Sequence, residues 1–167
     1  TLCFFEGTDV SIGRGTDFPF QLIGHPFVEF GKTKIPVKAN SAAPHPKHEN
    51  TLLNAHVFTN ADPTIWEGSD SKQITHKRSP ISGLDIASLI DAYSRFSEYN
   101  RMVSAIGGSE ETFFTRPEFF DKLAGTDALR FQIQTGKTPA EIRQSWQNDL
   151  KQFREKRQAY LLYEDTD

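Results

Sequence analysis

FFEGTDVSIGRGTDFPFQLIGHPF, residues 4–27, joins a glycine-dense polar loop to a run of aromatic and aliphatic anchors. Gly7, Gly13 and Gly15 allow positive φ or a close approach to the main chain. Among them sit Glu6, Thr8, Asp9, Ser11, Arg14, Thr16 and Asp17, a dense set of donors and acceptors. Directly after the apolar Leu2-Cys3-Phe4-Phe5, this reads as a strand followed by a polar loop, where binding groups are usually carried. Pro19, Phe18, Phe20, Leu22, Ile23 and Phe27 are expected to pin the segment to a core.

Working outward, residues 2–5 and about 20–38 read as strands broken by Gly24, Pro26, Gly31 and Pro36. Polar and apolar residues alternate from Thr33 to Lys38, as on a half-buried strand, and Pro36 puts that strand at an edge. Ala39 to Asn50 is a loop with two prolines and two histidines, and Thr51 to Thr59 is a further strand. Asn60 to Pro80 is turn-rich and reads as a surface excursion with Trp66 anchored.

The second half is helical in pattern. Ser82-Gly83-Leu84-Asp85 resembles a capping box, and Ile86, Leu89, Ile90, Tyr93 and Phe96 then give one face to about residue 99. Pro117 and Gly125 bracket a short helix over 117–124, and Gly136 closes another over Thr126 to Thr135. Thr138-Pro139-Ala140-Glu141 is the clearest start signal. It opens a helix to about Ala159 whose Ile142, Trp146, Leu150 and Phe153 share a face, before an apolar Tyr160-Leu161-Leu162-Tyr163 tail. Strands first and helices later predict an α+β fold, with a small mixed or antiparallel sheet from the N-terminal strands.

The length of 167 residues fits one domain with a real core. With 19 basic and 22 acidic residues the net charge is −3, which favours neither nucleic acid nor an anionic membrane. The longest apolar runs fall far short of a membrane span. Cys3 is the single cysteine, so an intrachain disulfide and a multi-cysteine zinc site are excluded; its apolar setting suggests an inert core thiol. The chain begins at Thr1 in apparent mid-strand, which suggests a fragment or a domain of something longer.

The ordered run Glu6-Gly7-Thr8, Ser11, Gly13-Arg14-Gly15-Thr16, Pro19-Phe20, Ile23-Gly24 and Pro26 resembles the signature that opens the C-terminal domain of the NamZ-type exo-β-N-acetylmuramidases. These form a peptidoglycan glycoside hydrolase family that was long a domain of unknown function. The likeness continues through Arg130 to Ile142 and through Trp146, Leu150, Phe153, Arg157 and Tyr160 to Tyr163. The chain departs from the family's pattern at Ile12, His25 and Leu53-Asn54-Ala55. The resemblance implies that residues 1–167 are the single, smaller C-terminal domain of a two-domain glycosidase whose Rossmann-like N-terminal domain is missing here. It further implies release of N-acetylmuramic acid from non-reducing ends of peptidoglycan-derived glycans, in the periplasm or outside the cell, with no cofactor. The expected partners are muramic acid saccharides and the N-terminal domain.

Within that reading Arg14 has two candidate roles. Its planar fork matches the lactyl carboxylate of muramic acid, or it pairs with Asp9, Asp17 or Glu6 to hold the loop shut. Ser11, Gly15, Thr16 and His48 are the other candidate substrate contacts. Glu6 is the candidate catalytic carboxylate, in a cleft-lining or completing role. Glycoside hydrolysis needs two carboxyl groups, and no spacing nominates a second, so the acid and base machinery is expected mainly on the other domain and the isolated chain is expected to be inactive. A hydrogen-bonded loop carboxylate is the alternative for Glu6.

His45 and His48, with His25 or His56, are too few and too scattered to predict a metal site. Phe113 and Phe114 lie off any periodic face and are candidate exposed platforms. The rival readings are a non-catalytic carbohydrate-binding or interdomain packing module and, needing the histidines, a metal hydrolase.

Overall fold

A computed structural model of the chain describes residues 2–58 and 84–163. Trp66, the 60–80 excursion and the Ser82-Gly83 start of the expected capping box lie outside the described residues. Three short strands, β1 (Leu22–His25), β2 (Thr33–Pro36) and β3 (Leu52–Val57), form an antiparallel sheet in the order β1-β3-β2. Among the described residues five α-helices follow: α1 (Ala87–Ser104), α2 (Pro117–Ala124), α3 (Ala128–Gln134), α4 (Pro139–Ser145) and α5 (Gln147–Gln158). The α+β class and the antiparallel sheet are as the pattern predicts.

β1 pairs Gly24 with Ala55, and β2 pairs Thr33 with the same Ala55, which makes β3 the central strand. Alternate residues of β1 serve two cores. Ile23 joins the main core, while Leu22 joins a smaller cluster with Val37, Leu53 and Ala55 on the other face. Pro36 lies on the edge strand, where its missing N–H costs no ladder bond. The main core gathers Phe5, Val10 and Ile23 from the first half with Leu89, Phe96, Phe113, Phe120, Ile133 and Ile142 from the second.

Helix starts follow the expected chemistry. The Asp85 carboxylate accepts from the Ala87 and Ser88 amides, so Asp85 itself does the capping ahead of α1. Pro117 opens α2, and Gly125 stops it in the left-handed region at φ 75°. At α4 the full reciprocal box forms: the Thr138 hydroxyl accepts from the Glu141 amide at 3.2 Å, and Glu141 accepts from the Thr138 amide at 2.8 Å.

Five expectations need correction. Residues 2–7 form a 3₁₀ helix, not a strand; it buries Phe5 and Gly7 but exposes Cys3, so the thiol is not in the core. Phe113 and Phe114 are buried rings, not platforms: Phe113 packs edge-on to Phe96 at 5.1 Å and Phe114 to Phe120 at 4.9 Å. Among the supposed anchors of residues 18–27, Leu22 and Ile23 are buried, whereas Phe20 and Phe27 are exposed. α1 runs to Ser104, past the expected end. The last helix breaks at Trp146 into α4 and α5, and Leu150 and Phe153 face solvent.

Candidate functional site

The polar loop folds over a set of internal bonds. Ser11 bridges to Gly24 of β1 through two main-chain bonds of 2.9 and 3.0 Å, and its hydroxyl accepts from the Gly13 amide. Thr16 donates its hydroxyl to the Gly13 carbonyl at 2.7 Å and accepts from the Phe18 amide. The two flanking glycines are required by the chain itself. Gly13 sits at φ 87° and Gly15 at φ 79°, and a Cβ at Gly13 would lie 2.1 Å from the Phe18 carbonyl oxygen. At Gly15 it would meet Pro46 at 2.7 Å, so the space beside this glycine is filled by the 39–50 loop.

Lys47 is the residue that sequence reasoning missed. Its ammonium donates to the Phe5, Thr8 and Val10 carbonyls, at 3.4 Å for Phe5 and 3.2 Å for Val10. One cation thereby satisfies main-chain acceptors along the whole approach to the loop. Burial pushes its pKa down to about 8, against the pull of the Asp9 and Glu6 charges. The sequence signal was slight: a lysine between prolines and histidines in an aperiodic loop.

Beside it, Asp9, His25 and His48 converge, with ligand-type atoms within 4.8 Å of one another. Two main-chain amides, of Phe27 and Val28, donate to His25 Nδ1 at 3.2 and 3.0 Å, which leaves the ring proton on Nε2. That Nε2–H donates to Asp9 Oδ2 at 2.9 Å. His48 Nε2 donates to the Asp9 carbonyl at 2.6 Å from a backbone at φ 60°. Burial lowers the His48 pKa, with the Asp9 carbonyl and carboxylate opposing. A metal on His25 Nε2 would require the proton to sit on Nδ1, where two amides already donate. The donor set therefore suits a hydrogen-bonded latch rather than a cation. The latch rests on His25, one of the positions at which the chain departs from the family's pattern.

On the outer side of the loop lies an open pocket of about 340 Å³. Glu6, Ser11, Arg14, His45, Lys47 and Arg116 are among its lining residues. Arg14 donates to Glu6 Oε1 at 3.2 Å, the pair being 47% and 29% exposed, and its guanidinium lies 4.8 Å from the Phe20 ring centroid. Phe20 holds φ 58°, an uncommon conformation for a bulky side chain, with its amide fixed by the Ile12 carbonyl at 2.7 Å. Of the expected site residues, Glu6, Ser11 and Arg14 line this pocket, whereas Gly15, Thr16 and His48 are engaged in the loop and latch behind it.

Fold and site together describe a small α+β domain that carries a cation-rich pocket on a glycine-dense loop. Family comparison gives this class a name. Residues 1–163 match the family model described as "Exo-beta-N-acetylmuramidase NamZ, C-terminal", and the chain belongs to that family. It is 29% identical over 170 residues to the peptidoglycan beta-N-acetylmuramidase NamZ of Bacillus subtilis (strain 168), covering 95% of this chain and 35% of the relative. It is also similar to a crystal structure of a DUF1343 family protein from Bacteroides fragilis NCTC 9343, at 33% identity and a TM-score of 0.69. That alignment covers 99% of this chain and 40% of the solved one, so the chain spans well under half the length of either relative.

Proposed function

We propose that this chain is the smaller, cleft-forming domain of a peptidoglycan glycoside hydrolase that releases N-acetylmuramic acid from non-reducing ends, in the periplasm or outside the cell. The observation that carries this reading is a partly exposed Glu6–Arg14 pair on a pocket wall, apart from the bonds that fix the loop. A solvent-exposed pair contributes ~0–1 kcal/mol. The loop is fixed instead by the Lys47 bonds, the Asp9–His25 contact and the Ser11–Gly24 bridge. Arg14 can therefore exchange Glu6 for a ligand carboxylate at little cost to the fold. Arg116 and Lys47 add cations to the wall, and Glu6 is the one acid among the lining residues. Such a wall suits the lactyl carboxylate of muramic acid. Family membership supports the same substrate class.

Two carboxyl groups are needed for glycoside hydrolysis, so the proposal puts the second on a larger N-terminal domain. Release of a chromogenic aglycone from an N-acetylmuramic acid β-glycoside tests this. The chain is assayed alone and together with the N-terminal domain that the family name implies. Turnover only with that domain is the expected result. Turnover by the chain alone would put a complete acid and base pair within it. No turnover by the folded pair would leave a non-catalytic carbohydrate-binding or packing module as the better account.

A further inference from the structure

Helix α5 and the tail behind it carry an apolar stripe that the described chain leaves open. None of the twelve residues of α5 is buried. Phe153 is 60% exposed, and Tyr160, Leu162 and Tyr163 are all more than three-quarters exposed. The stripe begins inside the core: Ile142 is fully buried and Trp146 packs partly against the core. α4 ends at Trp146, which has φ −85° and ψ −12°, and Leu150 and Phe153 then follow Trp146 at spacings of four and three along α5. A face that starts as core and emerges into solvent with its rings uncovered has the form of an interface rather than an ordinary surface.

We propose that this stripe is the docking surface for the larger N-terminal domain to which C-terminal domains of this family are joined. The proposal rests on the family reading above. Well over half of each relative lies outside the region matched by this chain, which supplies an occupant of sufficient size. Charge argues against a second copy of the chain. α5 carries Lys151, Arg154, Lys156 and Arg157 against Asp149 and Glu155, so a two-fold pairing would set two net-basic helices face to face. A partner surface that is apolar with an acidic rim meets both the stripe and its flanks.

Amide exchange over residues 147–163 tests the proposal, measured in the isolated chain and in the chain joined in one polypeptide to a family N-terminal domain. The expected result is at least ~10-fold slower exchange in the joined protein, lost in Leu150→Glu/Phe153→Glu. The same double variant should leave the melting temperature of the isolated chain unchanged, because both side chains are already exposed. Equal exchange in the two contexts would overturn the proposal, as would protection that survives the substitution. A fall in the melting temperature of the isolated variant would place the two side chains in the chain's own core. An isolated chain that sediments as a dimer, dissociated by the double variant, would make a second copy the occupant. Neither readout uses a glycan, so a failure of the proposed activity with protection retained would leave the docking surface standing.

Discussion

The 6–17 loop and helix α5 lie at opposite extremes of commitment. In the loop, the side chains of Thr8, Ser11 and Thr16 and many main-chain groups bond within the chain, and Lys47 reaches in from 39 residues away in sequence to take the Thr8 carbonyl. Along α5 nothing is buried, and its large apolar side chains are open. The loop is thus held by the chain's own bonds, with the Arg14–Glu6 pair on its open side. α5 has the opposite character, a helix whose own domain gives it little reason to persist, since most helical stability comes from packing.

Substitutions should divide along the same line. The largest expected loss is at Ile142, fully buried where the stripe enters the core: Ile142→Ala should cost about 3 kcal/mol in denaturant unfolding. Two turns on, Leu150→Ala should fall within about 0.5 kcal/mol. Equal losses at the two positions would erase the contrast. Next is Lys47→Met, which takes the ammonium donor from the Thr8 and Val10 carbonyls, while the Phe5 carbonyl keeps the Thr8 amide and hydroxyl, and should cost about 2 kcal/mol. A loss of only a few tenths would mean that water replaces the ammonium freely. Thr138→Ala, which removes the capping box of α4, should cost about 1 kcal/mol.

The smallest effect is a pH dependence. His48 has a folded pKa below its usual 6.5, so the folded protein binds fewer protons than the unfolded chain in that range. Its contribution to stability is present above 6.5 and is lost as the pH falls through the folded pKa. The slope of unfolding free energy against pH below 6.5 should therefore be shallower in His48→Asn, asparagine being a residue that tolerates the φ of 60°. An unchanged slope would remove His48 from the latch.

Local signals were the legible part of the sequence. Pro117 with Gly125, and Thr138-Pro139 with Glu141, mark helix ends through chemistry confined to a few neighbouring residues, and the helices formed there. The first error had a physical source: four successive apolar residues at 2–5 carry no period, so a 3₁₀ turn that buries Phe5 and turns Cys3 outward reads like a strand. Phe113 and Phe114 were illegible because their burial is set by α1 and α2, distant in sequence. The stripe from Ile142 to Phe153 was correctly periodic, yet period alone does not say where the core ends.

At the pocket, the pairing of Arg14 with Glu6 was one of the two roles expected for Arg14. Lys47, Arg116 and the His25 latch depend on contacts between loops, which no spacing encodes.

The central claim is that Arg14 reads a ligand carboxylate while contributing little to the fold. Its most direct test is the affinity of the chain, joined to its family's N-terminal domain, for N-acetylmuramic acid and for N-acetylglucosamine, the same sugar without the lactyl group. The account predicts that Arg14→Ala weakens the muramic ligand by roughly 10-fold or more and leaves the glucosamine ligand nearly unchanged. It also predicts an unfolding free energy within about 0.5 kcal/mol of the parent, as for an exposed pair. Equal weakening of both ligands, or a loss of several kcal/mol in stability, would contradict it and make Arg14 a structural clasp on Glu6.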